Sequence, residues 1–170
     1  MNMNDKESVY LRPLCVDDAS ASFRWRNDPD IWRYTGSRPN VVVTEEMERE
    51  WAKKVIADKT RANFAICLSP SNRYIGNIYL VNINGCSAEL GIFIGEQDCW
   101  GRGYGKDALG LLRQIAVGEL GLEEILIDVD LDNIPAILTY LRNGAHFRQK
   151  GRMELAIKLQ QESDASLVKI

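Results

Sequence analysis

Histidine is almost absent from this chain: His146 is the only one, and the four cysteines, Cys15, Cys67, Cys86 and Cys99, stand far apart with no C-x-x-C pair. That scarcity leaves a metal centre without its usual ligands and a disulfide framework without its spacing, and it leaves a Ser-His-Asp relay a single imidazole to draw on. No stretch approaches the roughly 20 apolar residues of a membrane span, and the opening "MNMNDKESVY" lacks the apolar core of a signal peptide. An excess of positive charge is missing too. Lys and Arg number 21 against 24 Asp and Glu, a formal charge of -3, so binding nucleic acid by bulk electrostatics is disfavoured and any anion site must be local. Repeats and low-complexity tracts are absent as well. Together these gaps predict a cytoplasmic protein with reduced cysteines, no metal, and neither nucleic acid nor membrane as partner.

What is present is ordinary globular material: 170 residues, 45% hydrophobic and 26% charged, enough for one domain over 1–170 and too little for two of usual size. "VYLRPLC" reads as a first strand stopped by Pro13, and Asp17 or Asp18 caps a helix running to about Arg26. A second short helix is expected over 31–34, followed by turn chemistry in "TGSRPN". "TEEMEREWAKKVIADK" reads as a capping box at Thr44 opening a helix with Met47, Trp51 and Val55 along one stripe. "RANFAICLS", "RYIGNIYLVNIN" and "SAELGIFIG" follow as three strands of a meander. In the third, Glu89, Gly91 and Phe93 face one way and Leu90, Ile92 and Ile94 the other. A helix over "KDALGLLRQIAVGEL", a strand "EEILIDVD", and a helix with Pro135 in its first turn and Gly144 at its end come next. "RQKGRMELAIKL" and "ASLVKI" close the chain as a hairpin. The fold class is mixed α/β (α+β), with a mostly antiparallel sheet and one strand-helix-strand crossover.

The stretch "CWGRGYGKD", residues 99–107, carries the chemistry. A strand running into a glycine turn and then a helix aims several unpaired backbone N–H groups at one point, at the positive end of the helix dipole. Gly103 and Gly105 allow a ligand to approach the backbone closely, and Arg102 and Lys106 add mobile positive charge. A P-loop is excluded, because Trp100 stands five before Gly105 and Asp107 replaces the Ser or Thr that would hold magnesium. "GYGKDA" does satisfy G-x-G-x-x-A, with Asp128 or Asp130 at a suitable distance. The chain beyond is too short to continue a doubly wound sheet, which leaves a diphosphate reached from the side, with a long tail along the strand. Coenzyme A has that shape.

In these residues the chain resembles the GCN5-related N-acetyltransferases, the GNAT family, and within it the ribosomal-protein N-acetyltransferase-like branch. The family turn [RQ]-x-x-G-x-[GA] is filled by Trp100, Gly103 and Gly105, the Trp matching the "WGKGYG" form of that branch. "WRNDP", "AELGIFIG" and the series N-x-x-A-I-x-x-Y-x-x-x-G-x-x-F from Asn133 to Phe147 match in order. The resemblance implies a sheet of about six or seven strands with a splayed central pair and helices on both faces, the splay arising from a bulge. It also implies transfer of the acetyl group of acetyl-CoA to a primary amine of a small molecule or peptide (a protein N-terminus, polyamine or amino sugar) by direct attack in a ternary complex. A non-catalytic acetyl-CoA sensor is the alternative, and a homodimer stays open.

The same resemblance assigns roles. Backbone groups of Ile92, Phe93 and Ile94 would pair with the pantetheine arm, and those from Arg102 through Gly103, Tyr104 and Gly105 to Lys106 would receive the pyrophosphate. Asn133 and Ile137 would border the far end of that arm. Glu89 is nominated as general base through water, Tyr140 as acid to the leaving sulfur, and Ile92 or Phe93 N–H for the oxyanion. Trp25, Asn27 and Tyr34 are expected as acceptor walls. Glu89 and Tyr140 also have ordinary uses, as an exposed strand carboxylate and as an aromatic packed beside Ile137 and Leu141.

Overall fold

The structure is a computed structural model and describes residues 6–34, 40–149 and 152–159. Strand β1 (Ser8–Pro13) leads to helix α1 (Ala19–Arg26) and helix α2 (Glu45–Ala57). Strands β2 (Ala62–Ser69), β3 (Tyr74–Asn84) and β4 (Ser87–Ile94) form the meander. Helix α3 (Tyr104–Gly118), strand β5 (Glu124–Asp128), helix α4 (Ile134–Arg142) and strands β6 (His146–Gln149) and β7 (Arg152–Lys158) complete the order. The sheet runs β1-β2-β3-β4-β5-β7-β6. Among its neighbours only β4 and β5, joined through α3, are parallel.

Strand alternation sorts the meander into two faces. Ile66, Ile78, Leu80 and Leu90 are buried together with Ala108, Leu109 and Leu112 of α3, with Ile92 and Ile94 packed against them. The opposite face receives α1 and α2: Asn63 Nδ2 donates to Val55 O at 2.9 Å, and the Trp25 ring meets Phe93 edge-on at 6.0 Å. Helices therefore cover both faces of a mixed, mostly antiparallel seven-stranded sheet, the fold class expected from the sequence. Arg113 of α3 donates to Asn143 O at 2.9 Å, tying α3 to the end of α4.

Charge fixes the junction of β1 with α1. Asp18 accepts from Arg12 at 2.8 and 2.6 Å and from Cys15 N–H at 2.9 Å. Burial alone pushes this carboxyl up, and the bonds from Arg12 and Cys15 outweigh it and hold it below the usual range.

Four sequence expectations need correction. Residues 31–34 form a turn, because so short a segment cannot repay helix nucleation and Trp32 is instead pinned by its indole to Trp25 O at 2.7 Å. At α2 only half of a capping box forms, with Thr44 Oγ1 accepting from Met47 N–H at 3.3 Å. The third helical position is Met47, so no carboxylate reaches back. The inward stripe of α2 is Glu48, Ala52 and Val55, while Met47 is exposed; Glu48 can face inward because Ser22 donates to it at 2.9 Å and Arg26 pairs with it at 3.2 Å. Finally, the described closing hairpin is β6–β7, formed within "HFRQKGRMELAIK", and "ASLVKI" lies outside the described residues.

Candidate functional site

β4 and β5 pair only at Ser87↔Glu124, Ala88↔Ile125 and Glu89↔Leu126. Beyond the Glu89↔Leu126 bridge they part, and among the described residues no strand lies beside the outer edge of β4 from Ile92 to Ile94. Parity settles which groups point into the gap. Gly95 N–H bonds Ile75 O on the β3 side, while Cys86 O accepts from Glu123 and Glu124 on the β5 side. Successive residues alternate, so the groups of Ile92 and Ile94 and the Leu90 carbonyl face the gap, while the Leu90 N–H is spent on Leu126 O in the last β4–β5 bridge. Phe93, expected to share this role, instead turns its backbone toward β3 in register with Asn77. The splay is also not made by a bulge between β4 and β5; the irregularity lies between Val81 and Asn84 on the β3 side.

Trp100 Nε1 donates to Ile94 O at 2.8 Å. That carbonyl is thereby engaged, leaving Ile94 N–H, both groups of Ile92 and the Leu90 carbonyl along the edge. The indole itself stays 43% exposed.

At the open end, Gly101 has φ +72 and Gly103 φ +80, conformations that a side chain disfavours. Gly103 is the N-cap of α3 and supplies no side-chain cap. Asp107 N–H returns to Gly103 O at 3.1 Å, which leaves the preceding amides of the first turn without a helical partner. Tyr104 is 3% exposed and anchored in the core, so only its backbone is available to a ligand. Arg102 and Lys106 are exposed. Lys6, which the sequence did not flag, pairs with Asp107 and lies 5.3 Å from the Tyr104 ring centroid. A diphosphate fits this cradle: among the described residues nothing accepts from the amides ahead of Asp107, and no Cβ stands in the way at 101, 103 or 105.

On the far side of the gap, Asn133 caps α4 by accepting from Ala136 N–H at 3.3 Å. Ile137 and Tyr140 are buried on the same helix, at 8% and 6% exposure. Burial first, and the neighbouring Tyr79 phenol second, push the Tyr140 hydroxyl up to about 12. Tyr79 in turn fills the room left by glycine on β4, where a Cβ at Gly91 would come within 2.1 Å of its ring. Two phenols thus meet where β4 leaves β5. Glu89 sits at that fork, exposed, and lines a cavity of ≈ 600 Å³ together with Thr60, Asn84, Ser87 and Leu126.

Residues 8–146 match the acetyltransferase (GNAT) domain. The chain belongs to the GNAT family. An uncharacterised protein of Methanocaldococcus jannaschii is 22% identical over 152 residues, 88% of this chain, and the chain spans 30% of that protein's length. Spermidine N-acetyltransferase from Vibrio cholerae, solved with CoA and spermine, superposes with a TM-score of 0.79 at 22% identity, covering 89% of this chain and 96% of that one. RimJ of Mycobacterium smegmatis, solved in complex with CoA-disulfide, gives 0.78 at 20% identity, covering 88% and 81%. Identities this low speak to the GNAT fold alone.

Within this GNAT chain the expected acceptor walls have structural commitments. Trp25 is 4% exposed, donates its indole N–H to Glu96 Oε1 at 2.9 Å, and occupies the space over Gly95, where a Cβ would meet its ring at 2.0 Å. Asn27 accepts from Val43 N–H and donates to Val43 O, both at 2.8 Å, so its amide fastens the segment before α2. Tyr34 is half-buried at the end of the turn. Sequence reading missed Tyr79 and Arg61, whose guanidinium lies 5.5 Å from the Tyr79 ring centroid. Their only linear signal is a tyrosine in β3 and an arginine ahead of β2, and register alone brings them together. Among the described residues no cluster of three or more His, Cys, Asp or Glu could hold a metal, and no helix is long and apolar enough to cross a membrane.

Proposed function

We propose that this GNAT protein, one domain over 1–170 of the ribosomal-protein N-acetyltransferase-like branch, transfers the acetyl group of acetyl-CoA to a primary amine in a ternary complex. The observation that carries the reading is the gap after Glu89. It offers a backbone edge, and the same structure supplies the buried Tyr140 phenol and the first-turn amides of α3. Acetyl-CoA supplies a thioester whose carbonyl carbon accepts the amine. Ile94 N–H and the carbonyls of Ile92 and Leu90 hold the pantetheine arm as an added strand would, Asn133 and Ile137 border it, and the amides from Arg102 to Lys106 seat the pyrophosphate.

Ile92 N–H faces the gap and receives the developing oxyanion. Glu89 accepts a proton through water from the acceptor nitrogen, which attacks as the neutral amine and loses its extra proton as the C–N bond forms; as the C–S bond breaks, Tyr140 gives its proton to the sulfur. A phenol raised to about 12 remains protonated at neutral pH and can serve only as a donor there. Trp25, Asn27 and Tyr34 hold the α1 side of the acceptor entrance in place. The similarity in fold to enzymes named for spermidine and to RimJ supports an amine acceptor and leaves its kind open.

The test is an acetyl-CoA assay against an amine panel, reading free thiol, with CoA affinity measured by calorimetry. Acceptor-dependent thiol release is expected. Tight CoA binding with no acceptor-dependent release would make the protein a sensor instead.

A further inference from the structure

On the sheet face that carries α1 and α2, register places three strands side by side. Asn63, Tyr79 and Gly91 form one row. In the next, Val81 stands opposite Glu89, and Arg61, one residue before the Ala62↔Leu80 pair, continues that row on β2. Arg61 therefore lies two strand spacings from Glu89, roughly 10 Å. Its guanidinium leans over the Tyr79 ring at 5.5 Å from the centroid, and that ring covers Gly91 at the fork.

Arg61 is the uncommitted cation of this face. Its Nε is buried and has no hydrogen-bond partner, and among the described residues no carboxylate lies within ion-pair distance of it. Asp58, the acid close enough to feel its charge, is occupied by the Thr60 N–H and hydroxyl at 2.9 and 2.7 Å. Arg26 stands on the same side with its own charge met by Glu48 at 3.2 Å and its guanidinium 5.0 and 4.9 Å from the Trp32 and Trp51 ring centroids. Both arginines act on the Tyr79 phenol, partly offsetting the upward push of burial. The carboxylates facing this space are Glu89, at the fork, and Glu48, already paired. A polyamine would bring a second positive charge toward Arg61, whose planar fork of donors matches a carboxylate or phosphate.

We infer that the acceptor is an amine bearing an oxyanion, a carboxylate or a phosphate, which Arg61 binds over the Tyr79 ring while the nitrogen is held at the fork. This rests on the transferase reading above and narrows its substrate class. Arg61 is a specificity-determining residue, and the Tyr79 ring is the platform that sets how far the anion stands from the reacting nitrogen.

Matched amines test it. γ-Aminobutyrate against butylamine reports on carboxylate, glucosamine 6-phosphate against glucosamine reports on phosphate, and spermidine is the polycationic comparator. In the wild-type protein the oxyanion partner of at least one pair should have the higher kcat/KM, by roughly tenfold or more, the size of a charge-assisted hydrogen bond. Arg61→Gln should collapse that ratio toward one through KM, and Arg61→Lys should restore part of it. Spermidine or the uncharged partners proving better, or Arg61→Gln lowering both members of a pair equally, would overturn the inference.

A binding arm separates the two readings. γ-Aminobutyrate and glucosamine 6-phosphate are titrated by calorimetry into the wild-type and Arg61→Gln proteins saturated with CoA. Arg61-dependent binding without thiol release from any amine would sink the transferase reading and keep the anion site. Thiol release with no preference for, or binding of, either oxyanion would do the reverse. The wild-type ratios stand even if Arg61→Gln fails to fold.

Discussion

The two sides of the fork are built from different material. On the proposed reading the donor side is backbone: the outward groups of Ile92 and Ile94, and the first turn of α3 behind Gly103. On the same reading the acceptor side is side chains: Arg61, Tyr79 and Trp25, drawn from a loop, a middle strand and a helix. Backbone groups are the same whatever the residue, so a backbone site constrains sequence only where a side chain would obstruct. A side-chain site can be assembled from any positions that register brings together, and it can change its ligand by single substitutions while the donor side stays fixed.

Tyr140→Phe strikes where both sides meet and should have the largest effect. Loss of the donor to sulfur is expected to lower kcat about 100-fold with little change in KM for acetyl-CoA, checked by steady-state kinetics; unchanged kcat would return Tyr140 to packing alone. Because burial and Tyr79 raise this phenol to about 12, it loses its proton only as pH rises toward that value. The pH–rate profile should therefore show no alkaline limb belonging to Tyr140 below about pH 11, and a limb near neutrality that vanishes in Tyr140→Phe would reassign it.

Gly91→Ala tests the seam between the two sides. A Cβ there would stand 2.1 Å from the Tyr79 ring, so the ring must move. Overpacking of this kind is expected to cost about 1–3 kcal/mol of stability, measured by thermal or denaturant unfolding. Acceptor KM should rise more than the CoA dissociation constant. Equal damage to both would mean that the two sides are one mechanical unit.

Arg102→Ala acts on the donor side alone. It should weaken CoA binding by about three- to tenfold at low salt, and the difference from wild type should shrink as ionic strength rises. No change in the calorimetric affinity would leave Arg102 as a solvated charge. Trp100→Phe, which keeps an aromatic and removes the N–H that meets Ile94 O, is expected to change CoA affinity by only about two- to threefold, the scale of a partly exposed hydrogen bond.

This division also explains what was legible beforehand. The order of elements, the meander and the glycine turn could be read because each leaves a local mark: alternation in "AELGIFIG", Pro135 and Gly144 around α4, and glycines where φ is positive. The short helix over 31–34 and the Met47 stripe were misread for a shared reason. In both, a polar contact decides the outcome, Trp32 to Trp25 O seven residues back in one and Glu48 to Ser22 and Arg26 more than twenty residues away in the other, and hydrophobic periodicity registers neither. Phe93 was misassigned for want of parity, since the sequence shows which residues alternate but not which set faces β3. Arg61 and Tyr79 stand eighteen positions apart in the chain, and only the β2–β3 register makes them neighbours.

The bond from Trp100 to Ile94 O makes β4 a track with two end stops. At one end that carbonyl is already occupied; at the other, pairing with β5 resumes at Glu89 and closes the space to the spacing of bonded strands, about 4.8 Å. Between them lies a run of roughly 13 Å, from Leu90 to Ile94 at the rise of an extended strand. A donor anchored by its diphosphate behind Gly103 can neither slide outward by a register step nor push a longer acyl chain past the fork. On the proposed reading the strand therefore gauges the donor by length and delivers the reacting carbon to one place, with no side chain required to recognise it.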